Sequence, residues 1–290
     1  MLTRGVRARP LEPARLAIRR ALVRRHLHAV IAGKSDTLKI DLQDGEINSS
    51  ALLIEMVAPL DHESLAFRQI ASAIKRSGAA DAVIDGLGSR DPIVRARSAR
   101  IAGAMRMEQA VPWLTSLLWS KAPAVRDAAA RALARIGGVR SAGAILMAIQ
   151  RIGPRPSLIV ALARAAPDLY LEAVLGGSQL RAAHPAVAMA AGLRGRRTAA
   201  AALILQLRSG SRRARKASSR ALGWLGASSA IPELTLALEH RDWWVRMSAA
   251  KALGAIPAYR PGPQLRACLA DRNPRVRRSA QDAVRRLSRR

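Results

Sequence analysis

Asp242 to Gly254 reads D-W-W-V-R-M-S-A-A-K-A-L-G, and this stretch returns in altered form along most of the chain. Asn273 to Val284, N-P-R-V-R-R-S-A-Q-D-A-V, is the next copy downstream. Upstream stand D-P-I-V-R-A-R-S-A-R-I-A-G (Asp91 to Gly103) and A-P-A-V-R-D-A-A-A-R-A-L-A (Ala122 to Ala134). Pro92, Pro123, Pro154 and Pro185 are evenly spaced, after which the register slips by four, to Ser211. One step back from Pro92 lands on Asp61, which gives about eight copies between residues 49 and 290. A fixed period of this size signals stacked supersecondary units.

Each copy has a physical reading. Asp, Ser or Asn before Pro starts a helix, because the polar side chain accepts an otherwise unpaired amide and Pro fits the first helical position. Val245, Ala249, Ala252 and Leu253 mark one apolar face at helical spacing. Gly103, Gly137, Gly226 and Gly254 fall where helix ends commonly need a left-handed residue. A further apolar helix precedes each start, at Val111–Trp119, Ala142–Ile152, Ala199–Leu207 and Ile231–Leu238. Two short helices cannot bury both apolar faces alone, so the units stack into a solenoid.

The Val-Arg pairs at Val94-Arg95, Val125-Arg126, Val245-Arg246 and Val276-Arg277, with Ala-Leu-Gly at Ala221–Gly223 and Ala252–Gly254, resemble the HEAT-like repeats of the phycobilisome lyase type. The resemblance implies an all-α, right-handed α-solenoid of about eight two-helix repeats, with the second helices on the concave face. Such arrays are most often scaffolds for protein–protein interaction. The lyase activity is not carried over by repeats alone.

The chain has 290 residues, half of them hydrophobic and 3% aromatic, which suits close packing of small residues between helices. Thr37–Leu42 is the one strand candidate. A single cysteine, Cys268, excludes an internal disulfide framework and a cysteine-based zinc site, and fits a reducing, cytoplasmic setting. No apolar run approaches the length of a membrane span. The net charge of +29 points to an acidic partner: an acidic protein first, nucleic acid or an anionic membrane surface as alternatives. The competing reading is compositional, since only six of the 49 basic residues are Lys.

Three segments follow from the order of the chain. Residues 1–33 are basic: 1–9 read as disordered, and Leu11–Ala32 as a helix that either caps the solenoid or lies on an anionic membrane. Residues 34–48, with Asp36, Asp41, Asp44 and Glu46, read as an acidic linker with a turn at Asp44-Gly45. Residues 49–290 hold the repeats. The first, at Ser49–Leu60 and His62–Arg76, is divergent; those at Ser141–Ala166 and Asp168–Gly192 lack the Val-Arg pair, and Gly153-Pro154-Arg155-Pro156 interrupts the helix start.

Candidate binding residues come from two patterns. The resemblance implies that the first arginine of each pair, Arg95, Arg126, Arg215 or Arg246, bridges to an aspartate such as Asp91, Asp242 or Asp271. Arg100, Arg131, Arg220 and Lys251, each a little over one helical turn further on, are freer to meet a partner. The second pattern is the stretch Ala173–Pro232, which contains no Asp or Glu at all. It holds Arg194, Arg196, Arg197, Arg208, Arg212, Arg213, Arg215 and Lys216, a patch that suits phosphates or acidic protein tails. Trp243 and Trp244 stand at a helix start; filling a gap between repeats is the commoner role, stacking on bases the alternative. Asp242-Trp243 resembles, weakly, the base-binding site of alkylpurine-glycosylase-like HEAT proteins. No other catalytic pattern is present: no phosphate loop, no nucleophile elbow, and no His pair at metal spacing. The sequence therefore predicts a non-enzymatic scaffold without cofactor or metal.

Overall fold

The computed structural model describes residues 11–44 and 46–289. The stretch expected to be disordered, 1–9, and the glycine of the expected Asp44-Gly45 turn lie outside the described residues. Among those described, every regular element is helical. The chain divides into two compact units, one up to Ile136 and one from Gly137.

In the first unit, α1 (Leu11–Ile31), α2 (Ser49–Val57) and α3 (Leu65–Arg76) precede two helix pairs. These are α4 (Ala79–Leu87) with α5 (Pro92–Ala104), and α6 (Val111–Leu117) with α7 (Pro123–Ile136). The second unit holds five pairs. They are α8 (Gly138–Ile152) with α9 (Pro156–Ala165), α10 (Asp168–Gly176) with α11 (His184–Leu193), α12 (Ala200–Ser209) with α13 (Arg212–Leu225), α14 (Ile231–Ala237) with α15 (Trp243–Leu253), and α16 (Pro263–Ala267) with α17 (Pro274–Ser288). This is the all-α, stacked-pair architecture of an α-solenoid, as the period predicts. Thr37–Leu42 forms no strand; Leu38 and Leu42 are buried in an irregular segment.

Three second helices start at a side-chain cap where the sequence places one. Asp91, Asp242 and Asn273 accept the amides of Ile93, Trp244 and Arg275 at 2.8, 2.9 and 2.9 Å. Satisfying one orphan amide in this way is worth about 1 kcal/mol per helix. The proline period misleads at one place. Pro154 lies before α9, which begins at Pro156 after Gly153 with φ +86°. The second helices of the second unit therefore start at 156, 184, 212, 243 and 274, and the slip is spread over three repeats.

Second helices also pack directly on one another, and glycine sets how closely. Gly226 and Gly137 have the expected positive φ, +59° and +74°. Gly103 and Gly254 do not, and their role is contact. A Cβ on Gly103 would fall 2.5 Å from Ala132 Cα, and one on Gly254 2.7 Å from Ala283 Cα. Gly192 against Ala221 and Gly223 against Ala252 repeat the arrangement at 2.8 Å. Real Cβ atoms do not approach this near, so backbone meets backbone. Around these contacts Val245, Ala249, Ala252 and Leu253 are buried, the apolar face read from the sequence.

The N-terminal region departs from the repeat. α5 packs on α2, while α3 packs on α4, and α1 lies against both α2 and α3. Leu27 and Val30 bury the C-terminal half of α1, and Arg24 pairs with Glu55 at 3.2 Å. The acidic stretch 34–48 is pinned at several points. Arg76 donates to Asp36 O at 2.6 and 2.9 Å, Gln43 Nε2 to Ser98 Oγ at 2.9 Å, and Arg19 meets Glu46 at 2.9 Å.

The glycine contacts give a direct test. Gly223→Ala should lower stability by about 1–3 kcal/mol through overpacking, although Ala is the better helix former. Gly143→Ala, where the nearest atom to the new Cβ is Tyr170 Oη at 3.6 Å, should instead stabilise by roughly 0.5–1 kcal/mol. Urea unfolding midpoints compare the two; equal shifts would show that close approach is not limiting.

Candidate functional site: a cationic cleft walled by tryptophan

The arginines sort by what their guanidinium groups touch. Arg95 Nη1 donates to Ser89 O and Arg90 O at 2.7 and 3.0 Å, and Arg126 does the same to Ser120 O and Lys121 O. Arg246 repeats it on His240 O and Arg241 O, and Arg277 on Asp271 O and Arg272 O. The Val-Arg arginine thus closes the loop between the two helices of its own repeat, by binding the carbonyls left there. The expected bridge to aspartate holds at one position. Arg246 forks onto Asp271 in the next repeat at 2.7 and 2.8 Å. Asp91 is used as a cap; Asp242 caps and also pairs with Arg212 at 2.5 Å. Asp242 is therefore engaged twice at the helix start, next to Trp243, where a glycosylase-like role would need it free.

The acid-free window is less free than its sequence. Acids at its borders fold back on it: Asp168 meets Arg196 and, at 3.9 Å, Arg194, while Glu233 meets Arg208 at 2.5 Å. Arg194 also donates to the carbonyls of Ala163, Arg164 and Ala166. Arg215 donates to Arg208 O and contacts His240 Nε2. Arg197 and Arg213 are exposed. The candidates Arg194, Arg196, Arg212 and Arg215 are thus already engaged by the fold.

Four others are exposed on second helices: Arg100 on α5 and Arg131 on α7 in the first unit, Arg220 on α13 and Lys251 on α15 in the second. In the second unit the structure brings candidates together. Lys216, Arg220 and Lys251 line a cleft of about 570 Å³ with Trp224, Trp244 and Arg286. Among the described residues Asp282 is the one carboxylate on its wall. Lys216 Nζ sits 4.0 Å from the Trp244 ring centroid, and Arg220 Cζ 4.6 Å from that of Trp224. Trp243 and Trp244 stack at 4.4 Å, and Arg275 covers both from α17 at 5.4 and 5.9 Å. Cation–π contacts of this kind hold the cations in place. Trp243 and Trp244 are half-buried, with Lys216 of α13 on one side and Arg275 of α17 on the other. Trp224 is 42% exposed.

The electrostatics match the geometry. Partial burial and the neighbouring charges of Arg220, Lys251 and Arg212 hold the Lys216 amine below its ordinary value. Like charges are being kept together, which a bound anion relieves. Arg286, Asp282 and Arg275 escaped the sequence reading, although a signal existed: Asp282 and Arg286 occupy, one repeat later, the positions of Lys251 and Ala255. No group of acids, histidines and cysteine suited to a metal occurs among the described residues. Nor is any described helix long and apolar enough to cross a membrane.

A family model for HEAT repeats matches residues 80–167 and 200–285. The chain belongs to the HEAT repeat family. Within this HEAT chain, the unmatched interval between the two blocks contains α10 and α11, where the register slips. Among solved structures it is similar to human deoxyhypusine hydroxylase in complex with glycerol (22% identity, TM-score 0.38, covering 93% of this chain and 98% of that one). It is also similar to a designed armadillo repeat protein (19%, TM-score 0.33, 71% and 98%). An engineered protein matches at 22% identity and TM-score 0.30, covering 73% and 97%. No curated protein matches.

Two outcomes test this electrostatic picture. Arg220→Ala should move the Lys216 amine back towards its ordinary value, read by NMR of reductively methylated lysines, of which the chain has six. Asp271→Asn should cost about 2 kcal/mol at neutral pH, a charged hydrogen-bonded pair being lost. The Arg246 fork holds the Asp271 carboxyl below the usual range. Its contribution is therefore present above pH ~4 and is lost as pH falls through the lower folded value, so the two proteins should converge in acid.

Proposed function

We propose that this HEAT chain is a non-enzymatic scaffold that holds an acidic segment of a partner protein on the face carried by α13, α15 and α17. One observation carries the reading: Lys216, Arg220 and Lys251 converge on one cleft, and among the described residues none of the three has a carboxylate partner in an ion pair. Their charge steers an acidic segment in, and Trp224 and Trp244 hold two of the cations in place along the cleft wall. The family supports it, since repeat arrays present long surfaces to protein partners.

A protein ligand fits better than a phosphate backbone for two reasons. Asp282 stands in the cleft, where it can accept from an arginine, lysine or backbone amide of a peptide, donors that a sugar–phosphate backbone lacks. The faces of Trp224 and Trp244 already carry Arg220 and Lys216, so they are not open platforms for bases.

The test uses a fluorescein-labelled peptide of twelve residues, mostly Glu, and a labelled random-sequence DNA duplex at physiological salt. Peptide binding should weaken at least tenfold in the Arg220→Glu, Lys251→Glu double variant, with the circular dichroism spectrum unchanged. DNA binding that persists at that salt and exceeds peptide binding would replace the proposed ligand class.

A further inference from the structure

Beside the cationic cleft the second unit carries an apolar one. Val160 and Arg164 of α9, with Leu193 of α11 and Arg194 just after it, line about 400 Å³ of open space. Val160 is 41% and Leu193 49% exposed. Scattered exposed aliphatics are ordinary, but these are not scattered. Leu193 follows Gly192 as Trp224 follows Gly223, and both glycines make the same close contact with the next helix. Leu193 and Trp224 are therefore equivalent positions on adjacent second helices, and Met189 is likewise equivalent to Arg220. One surface thus runs from aliphatic (Val160, Leu193) through aromatic (Trp224) to cationic (Arg220, Lys251).

We infer that this surface binds a bipartite segment of a partner protein, in which large apolar residues enter the α9–α11 cleft and acidic residues enter the α13–α15 cleft. The inference rests on the acidic-partner reading above and adds the apolar half and the spacing. Charge complementarity selects the acids, and the exposed aliphatics select what adjoins them. A polyanion without apolar side chains leaves the first cleft unfilled. The spacing follows from helix packing. Neighbouring helix axes are about 8–10 Å apart, so the cleft centres lie roughly 20 Å apart. An extended chain covers about 3.3 Å per residue, which puts the two halves of the segment about six residues apart.

The experiment measures anisotropy of labelled synthetic peptides on the full chain at physiological salt. One peptide carries Leu-Phe, a six-residue Gly-Ser spacer and four Glu; a second has the reverse order; a third has Ser-Ser in place of Leu-Phe. One of the first two should bind at least tenfold more tightly than the third. Shortening its spacer to one residue should remove that gain, and so should Val160→Ser with Leu193→Ser, while affinity for the third peptide stays unchanged. Equal affinity for all three would overturn the bipartite site and leave the acidic-partner reading standing. A gain that survives the Val160 and Leu193 substitutions would also overturn it, by placing the apolar half elsewhere. If no peptide binds, both readings fall.

Discussion

Backbone-to-backbone contact between successive second helices is the constraint on which the rest depends. Gly103, Gly192, Gly223 and Gly254 each meet an alanine of the next second helix, at distances that leave no room for a side chain. That contact sets the spacing of helices within each unit and forces the neighbouring positions to be small, which is why alanine dominates the core. It also determines what reaches the surface. Once a glycine and an alanine are locked together, the residue after the glycine and those three and seven before it share one side of the helix at the edge of the contacts, Trp224 Cε3 lying 3.0 Å from where a Cβ on Gly192 would be. Leu193, Trp224, Arg220 and Lys216 occupy such positions, and a site built there inherits its geometry from the core.

A second constraint explains why so many of the arginines are engaged by the fold itself. Short helix pairs joined by tight loops leave carbonyl groups with no helical partner. Arg95, Arg126, Arg246 and Arg277 satisfy them, reaching back into their own loops with one guanidinium nitrogen. Arginine suits this task because it is permanently charged and offers several donors from one planar group. These cations belong to the fold, as do those paired with Asp168, Glu233 and Asp242. Net charge therefore overstates the charge offered to a partner.

The period, the helix pairs and the capping residues were legible because each is written in a few adjacent residues. Asp91, Asp242 and Asn273 cap where the sequence places caps. Pro154 falls outside its helix because Gly153 at positive φ turns the chain there and postpones α9 to Pro156. The cleft was half legible. Repeat spacing places Arg220 and Lys251 on one face, and Lys216 lies one turn before Arg220. Which arginines are spent on carbonyls or on distant acids is a tertiary fact: Arg194 and Arg196 stand in an acid-free window, yet Asp168 reaches them from the start of α10. What covers the tryptophans is a tertiary fact as well: Lys216 and Arg275 come from the helices on either side to lie over the Trp244 and Trp243 rings.

The state of Lys216 says what kind of feature the cleft is. Carbonyl-capping and ion-paired arginines lower the free energy of the folded chain, so their positions need no further explanation. Lys216 is different: its amine is disfavoured in the charged form by partial burial and by Arg220, Lys251 and Arg212 around it. Clustered like charges that no acid neutralises work against folding. Of the nearby carboxylates, Asp242 is committed to Arg212 and the Trp244 amide, and Asp282 is the one on the cleft wall among the described residues. Trp244 offsets part of the cost through its ring face, which steadies the cation without cancelling its charge. Positive charge held in place beside two indole rings, at a cost to the folded chain, is the physical ground on which an acidic partner is proposed for this cleft.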